Sequence, residues 1–182
     1  MVKNRYPMTK VMIITLIASF FYFNISVINV NASGETIYVD DSGGADYTNI
    51  QDAINAANES DTIYVYSGNY NENIVINIGI NLEGAGSSFV TINGNSDHTI
   101  KINSNNVHIS DLKIQNTGDS FSCILLNSVS NCQISSNIIE NGGNGIYLIS
   151  SDSNTIMDNT FENNNIGLYL SNSDTNTIKS NT

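Results

Sequence analysis

"CQISSNIIENGGNGIYLISSDSNTIMDNTFENNNIGLYLSNSDTNTIKSN" (Cys132–Asn181) is a passage that repeats itself at an offset of 22 residues without a gap. Ile134, Ile156 and Ile178 fall in one column, and Asn137, Asn159 and Asn181 in another. Ile139 aligns with Phe161, Glu140 with Glu162, Ile146 with Leu168 and Leu148 with Leu170. Each period holds three short runs of strand-forming residues separated by Asn, Gly and Ser. A single such unit has too little apolar surface to bury alone. Stacked units solve the problem, because parallel strands ~4.8 Å apart place equal positions over one another. The pattern predicts an all-β parallel solenoid. A leucine-rich repeat has a similar period but needs a dense leucine consensus that is absent here.

The register extends upstream. Ile109 and Ile114 match Ile134 and Ile139 at an offset of 25, and the three extra residues fall within "TGDSFS" (Thr117–Ser122). Nearer the start, "TIYV" occurs twice, at Thr36–Val39 and Thr62–Val65, each a strand-like alternation. Between them one helix is expected over Thr48–Asn58. Thr48 and Gln51 have capping-box spacing, and Ile50, Ala53, Ile54 and Ala57 make one apolar stripe. Residues 33–70 therefore read as a cap (strand, helix, strand), and residues 71–182 as three-strand coils, about five in the chain. The second asparagine motif is followed only by Thr182, which reads as a coil interrupted at the C-terminus.

Residues 1–32 read as a secretory signal peptide. Lys3, Arg5 and Lys10 precede the apolar core Val11–Phe23, and Val30-Asn31-Ala32 fits a cleavage site before Ser33. If uncleaved, Val11–Val30 is a membrane anchor, the only membrane contact the sequence offers. Either way an extracellular or cell-surface location is expected. Beyond residue 32 the chain keeps three lysines (Lys101, Lys113, Lys179), no arginine and all 17 acidic residues. That balance excludes nucleic acid, whose phosphates need clustered Lys and Arg. Acidic polysaccharides fit poorly unless divalent cations intervene. Cys123 and Cys132 lie on either side of one strand and are expected as free thiols.

The cap and coils together resemble right-handed parallel β-helix proteins of the pectin-lyase-like superfamily. The likeness is to the branch with NosD-like, carbohydrate-binding and sugar-hydrolase-type repeats found on cell surfaces. "DYTNIQDAINAA" (Asp46–Ala57) resembles the N-terminal capping helix, "SGNYNENIVI" (Ser67–Ile76) the strand after it, and "INLEGAG" (Ile80–Gly86) the next coil. The resemblance implies a right-handed β-helix with an N-terminal capping α-helix. It does not fix an activity, since the superfamily includes lyases, esterases, epimerases and non-catalytic surface proteins. Its esterases pair aspartates with an arginine, which this exported region lacks. Asp40 and Asp41, being adjacent, point to opposite faces. A non-catalytic structural, adhesive or carbohydrate-binding module is expected, with a polysaccharide or cell-envelope component as partner. The alternatives are the N-terminal part of a polysaccharide lyase, hydrolase or epimerase, and a NosD-like periplasmic copper accessory protein using His98 and His108.

Four sets of residues are candidates for a role. Tyr147 and Tyr169 alternate with inward residues, so their rings point outward, where they can stack on sugar rings. Glu140/Glu162 and Asp152/Asp174 are stacked carboxylates that repel unless a cation intervenes. Calcium suits such oxygen ligands, although no cofactor is required. Asn137, Asn159 and Asn181, three residues after Ile134, Ile156 and Ile178, are read as a structural ladder at a bend, with asparagine taking the left-handed conformation. Asn58, in Asn58-Glu59-Ser60, is a glycosylation candidate.

Overall fold

The computed structural model describes residues 34–182 apart from residues 117 and 119. The signal segment expected over residues 1–32 lies outside the described residues. Strand β1 (Thr36–Val39) and helix α1 (Ile50–Ala56) lead into five complete coils. These are β2 (Thr62–Val65), β3 (Gly68–Tyr70) and β4 (Ile74–Ile76); β5 (Asn81–Gly84), β6 (Val90–Gly94) and β7 (Ile100–Ile102); and β8 (His108–Ser110), β9 (Lys113–Asn116) and β10 (Ser122–Asn127). The fourth coil is β11 (Gln133–Ser135), β12 (Ile138–Glu140) and β13 (Asn144–Ile149), and the fifth β14 (Thr155–Met157), β15 (Thr160–Glu162) and β16 (Ile166–Ser171). β17 (Thr177–Lys179) follows.

Equivalent strands pair in parallel into three sheets. The first is β1-β2-β5-β8-β11-β14-β17, the second runs from β3 to β15, and the third from β4 to β16. The molecule is a right-handed parallel β-helix, the hand that parallel crossovers almost always adopt. The 22-residue columns are hydrogen-bonded neighbours: Ile134 pairs with Ile156 and Ile156 with Ile178, Ile139 with Phe161, and Ile146 with Leu168. The 25-residue offset upstream is equally real, with Ile109 on Ile134 and Ile114 on Ile139. Inward isoleucines and leucines from all three sheets fill one continuous core. Burying such a side chain contributes about 1.5–3 kcal/mol. Ile178 keeps its register but is 44 % exposed, because β17 has a neighbour on one side only.

Two local expectations need correction. The helix is shorter than Thr48–Asn58, and its N-cap is Asn49 with no side-chain cap of its own. The Thr48–Gln51 capping box does not form, because the cap comes from another turn of chain. The Glu72 carboxylate accepts the backbone N–H of Ile50 and of Gln51, both at 2.9 Å. An anion there also suits the helix dipole. Gln51 is thus freed to act as a surrogate strand: Val75 N donates to its Oε1 at 2.7 Å, and its Nε2 donates to Val75 O at 3.2 Å. Seven residues would be marginal as an isolated helix, and these long-range bonds hold α1 on the first coil. Its stripe is as expected, with Ile50, Ala53 and Ile54 buried.

The second correction concerns the bends. The left-handed residue is not the asparagine but the one before it: Ser136, Asp158 and Ser180 have φ of 59°, 56° and 54°. That turn aims the following side chain inward. Asn137 and Asn159 are 1 % exposed, and each amide is fully used. Asn159 Nδ2 donates to Ile134 O of the preceding coil and Met157 O of its own, while its Oδ1 accepts Asn137 N–H. Asn181 repeats the pattern, its Oδ1 accepting Asn159 N–H and its Nδ2 reaching Ile156 O. A parallel ladder runs through Asn154 and Asn176 after the left-handed Ser153 and Thr175. Asn159→Ala strips partners from buried groups in two coils and is expected to cost about 3 kcal/mol in urea unfolding. The exposed Asn165→Ala should change stability by less than about 0.5 kcal/mol.

Candidate functional site

Alternation along each strand divides the molecule into a fixed interior and a variable exterior. On the third sheet the interior positions of β13 and β16 are Ile146/Leu168 and Leu148/Leu170. The residue between them therefore faces out, and the column runs Val75, Lys101, Leu125, Tyr147, Tyr169. The rings of Tyr147 and Tyr169 stack with centroids 5.0 Å apart and an interplanar angle of 29°. Tyr169 is 45 % exposed, and the neighbouring Ile166 is exposed as well. Both lie on β16, which like β17 has a strand neighbour on one side only, and that open edge contributes to their exposure. Toward the other end of the sheet Lys101 is tied to Asp97 at 2.6 Å, which holds that carboxyl below its usual range.

The acidic columns are placed as the register requires. Glu140 and Glu162 are direct neighbours on β12 and β15. Lys113 Nζ lies 3.7 Å from Glu140 Oε1, so one member of the pair already faces a cation. Asp152 Oδ1 accepts the backbone N–H of Asp174 at 2.6 Å, a link between consecutive turns. Among the described residues no group of three His, Cys, Asp or Glu side chains converges as metal ligands would. Asn58 is exposed between α1 and β2, and its backbone N–H donates to Asp61 Oδ2. Asp40 and Asp41 do not act together: Asp40 accepts Ser42 N and Oγ, and Asp41 accepts Asn69 N.

Both cysteines are free and buried. Burial pushes the Cys123 thiol up to about 12, and its Sγ donates to Glu140 O at 3.2 Å. Burial raises the Cys132 thiol too, and it points to Ser104 O. The histidines separate. His108 is exposed at the start of β8 in the first sheet, whereas His98 is half-buried just before β7 of the third. The His98 ring packs edge-on against Phe121, and its Nδ1 accepts Ser122 N–H at 2.9 Å. Sequence reasoning missed a further group, Tyr38, Tyr64 and Tyr66 on the outer face of the first sheet. The duplicated "TIYV" was the available signal.

The fold and its outer faces define a parallel β-helix repeat protein. The chain belongs to the family described as periplasmic copper-binding protein (NosD), whose model matches residues 15–182. A cell surface glycoprotein of Methanothermus fervidus is 36% identical over 97 residues, which is 52% of this chain and 16% of that protein. Pectin methylesterase from carrot superposes with a TM-score of 0.56 at 15% identity, over 79% of this chain and 64% of that one. A pectin methylesterase in complex with a hexasaccharide gives 0.50 at 14% identity, over 71% and 56%. These likenesses establish the fold. The chain spans less than two thirds of each of these three proteins.

His98 yields a pH prediction. Burial is the main cause lowering its pKa from 6.5, against the pull of Asp97, and the Ser122 N–H on Nδ1 requires the neutral ring. The unfolded chain then binds the proton more readily than the folded one. The contribution is fully present above pH 6.5 and lost as pH falls toward the lower folded value. Unfolding midpoints in urea should therefore drop as pH is lowered from 6.5, and His98→Gln should flatten that slope. Asp40 and Asp97, whose pKa values are lowered from 3.8, act only in a more acidic window.

Proposed function

We propose that this chain is a secreted or cell-surface β-helix module that binds carbohydrate without catalysis. The observation that carries the reading is the outward Tyr147–Tyr169 stack on the third sheet, an aromatic platform one coil deep. The face of the Tyr169 ring that is not stacked on Tyr147 suits the C–H face of a pyranose, and the inward neighbours, Ile146 and Leu148 buried and Leu168 and Leu170 partly buried, hold the stack in place. The surface location is supported by the likeness to a cell surface glycoprotein. It is also consistent with an exposed Asn58 in a glycosylation sequon. The partner is then a polysaccharide or another envelope component, and nucleic acid is disfavoured by the lack of clustered Lys and Arg.

A copper role, which the family description names, fits the described residues poorly. The two histidines are on different sheets, His98 Nδ1 is engaged, and both thiols are buried and protonated. A catalytic role is disfavoured by the carboxylates already described. Asp41 and Asp152 are bonded to backbone amides and Glu140 faces Lys113, while the paired acids Glu140/Glu162 and Asp152/Asp174 have no arginine to work with, since none occurs beyond residue 32.

Tyr169→Ala, and more strongly the Tyr147→Ala/Tyr169→Ala pair, should weaken retardation of the chain in affinity gels containing neutral polysaccharide. The expected change in apparent Kd is about tenfold, with the melting midpoint little altered. Calcium-dependent turnover of uronate-containing polysaccharides by this chain would overturn the non-catalytic reading. No cofactor is needed, so EDTA should leave binding unchanged. A loss on chelation would instead assign Glu140/Glu162 or Asp152/Asp174 as calcium ligands.

A further inference from the structure

The outer face of the first sheet carries an aromatic group with its own geometry. The two copies of Thr-Ile-Tyr-Val fall in register as β1 and β2, which sets Thr36 beside Thr62 and Tyr38 beside Tyr64. β5 continues those columns with Asn81 and Glu83. Tyr66 follows β2 immediately. Its ring stacks on that of Tyr38, with centroids 5.8 Å apart and an interplanar angle of 18°. Tyr64 meets Tyr38 and Tyr66 edge-on, at 6.0 Å and 5.3 Å.

Cross-strand packing of the rings explains why they touch. It does not explain what they leave open, since Tyr38 is 41% exposed and Tyr66 42%. Together with Thr36, Thr62, Tyr64 and Glu83 they line a groove of about 480 Å³. That lies within the span of about 300–1,000 Å³ typical of small-ligand sites. One polar group of the lining is also held. Asn81 Nδ2 donates to Thr62 Oγ1 at 3.2 Å, which leaves the Thr62 hydroxyl proton free to point outward.

We propose that this groove binds a neutral glycan. The proposal rests on the carbohydrate-binding role advanced for the chain, and it adds a second, separate site on another sheet. The exposed sides of the Tyr38 and Tyr66 rings, those not covered by their mutual stack, meet the apolar face of a pyranose, while the phenols, Thr36, Thr62 and Glu83 exchange hydrogen bonds with its hydroxyls. Glu83 is the one charged residue of the lining, and no lysine answers it there. A uronate or a phosphorylated glycan would meet only repulsion, on a chain that is already strongly acidic. An uncharged, hydroxyl-rich ligand meets none.

The test is calorimetric and NMR titration of the full chain with neutral hexaoses of glucose, mannose and galactose. Hexagalacturonate is the acidic probe. At least one neutral hexaose should bind, hexagalacturonate should not, and Tyr38→Ala and Tyr66→Ala should each weaken binding about tenfold. Glu83→Gln, which preserves shape, should weaken it several-fold. Because an alanine variant can lose its fold, the wild-type chain supplies an independent reading. Its amide shifts at Tyr38, Tyr64 and Tyr66 should move with added hexaose. Binding that leaves these shifts unmoved and is abolished by Tyr169→Ala overturns this site and leaves the carbohydrate-binding role standing. Tighter binding of hexagalacturonate overturns the neutral class. No binding of any hexaose or polysaccharide overturns both.

Discussion

The parallel bond between one coil and the next is the constraint from which everything else in this molecule follows. Among the described residues no strand exceeds six residues, and most have three, so none has enough local contacts to persist alone. What holds each strand is the strand above and below, and from the fourth coil onward the buried asparagines at the bends fix their register. Asn159 shows why: its amide bonds to its own coil through Met157 O, and to the preceding coil through Ile134 O and Asn137 N. An isoleucine could slip along the bore at modest cost. A slipped asparagine would leave several buried polar groups unpaired, each costing about 1–3 kcal/mol. Apolar residues supply the cohesion, and the amide ladder supplies the alignment.

The same logic explains which parts of the fold could be read from the amino acids. From Cys123 onward the turns have constant length, so bonded partners sit 22 residues apart and a fixed-offset comparison finds them. In the first half the spacing varies: 19 residues from Thr62 to Asn81, 26 from Asn77 to Asn103, 24 from His98 to Ser122. The ladders there are just as regular in space, but no single offset reveals them. The cap helix was misread for a related reason. Its N-terminal partner, Glu72, stands 22 residues from Ile50, and a local motif search cannot see an anion delivered by the next coil. At the bends, residue type pointed to asparagine as the left-handed position. The backbone gives that task to Ser136, Asp158 and Ser180, because the asparagine is needed inside.

The surface candidates divide along similar lines. Tyr147 and Tyr169 were legible as outward neighbours because strand alternation and the 22-residue register both apply there. The Tyr38–Tyr64–Tyr66 group was not. It is assembled from the cap strand and the first coil, where partners such as Tyr38 and Tyr64 are set by the loop that carries α1. The stacked carboxylates are the converse case. The register found them, but only the folded structure shows that Lys113 answers Glu140 and that Asp152 is bonded to the Asp174 amide.

A fold whose strands are held mainly from coil to coil leaves its outward columns largely unconstrained by stability. The inner columns must be apolar and the bends must carry a left-handed residue and an inward partner, which accounts for most of each coil. What remains is a set of exterior positions, repeated at each coil, where a substitution disturbs neither the bore nor the ladder. This is why a chain only 15% identical to a pectin methylesterase can share its fold. It is also why that likeness carries no activity with it. Catalytic acids, metal ligands and aromatic platforms all have to be written in those same outward columns. In this chain the columns hold tyrosines at two places, acids of which Glu140 faces a lysine and Asp152 a backbone amide, and no arginine at all beyond residue 32. Chemistry that needs a positive charge to hold or polarise an acidic substrate has little to work with on such an exterior, whereas stacking against uncharged sugar rings needs only what is present.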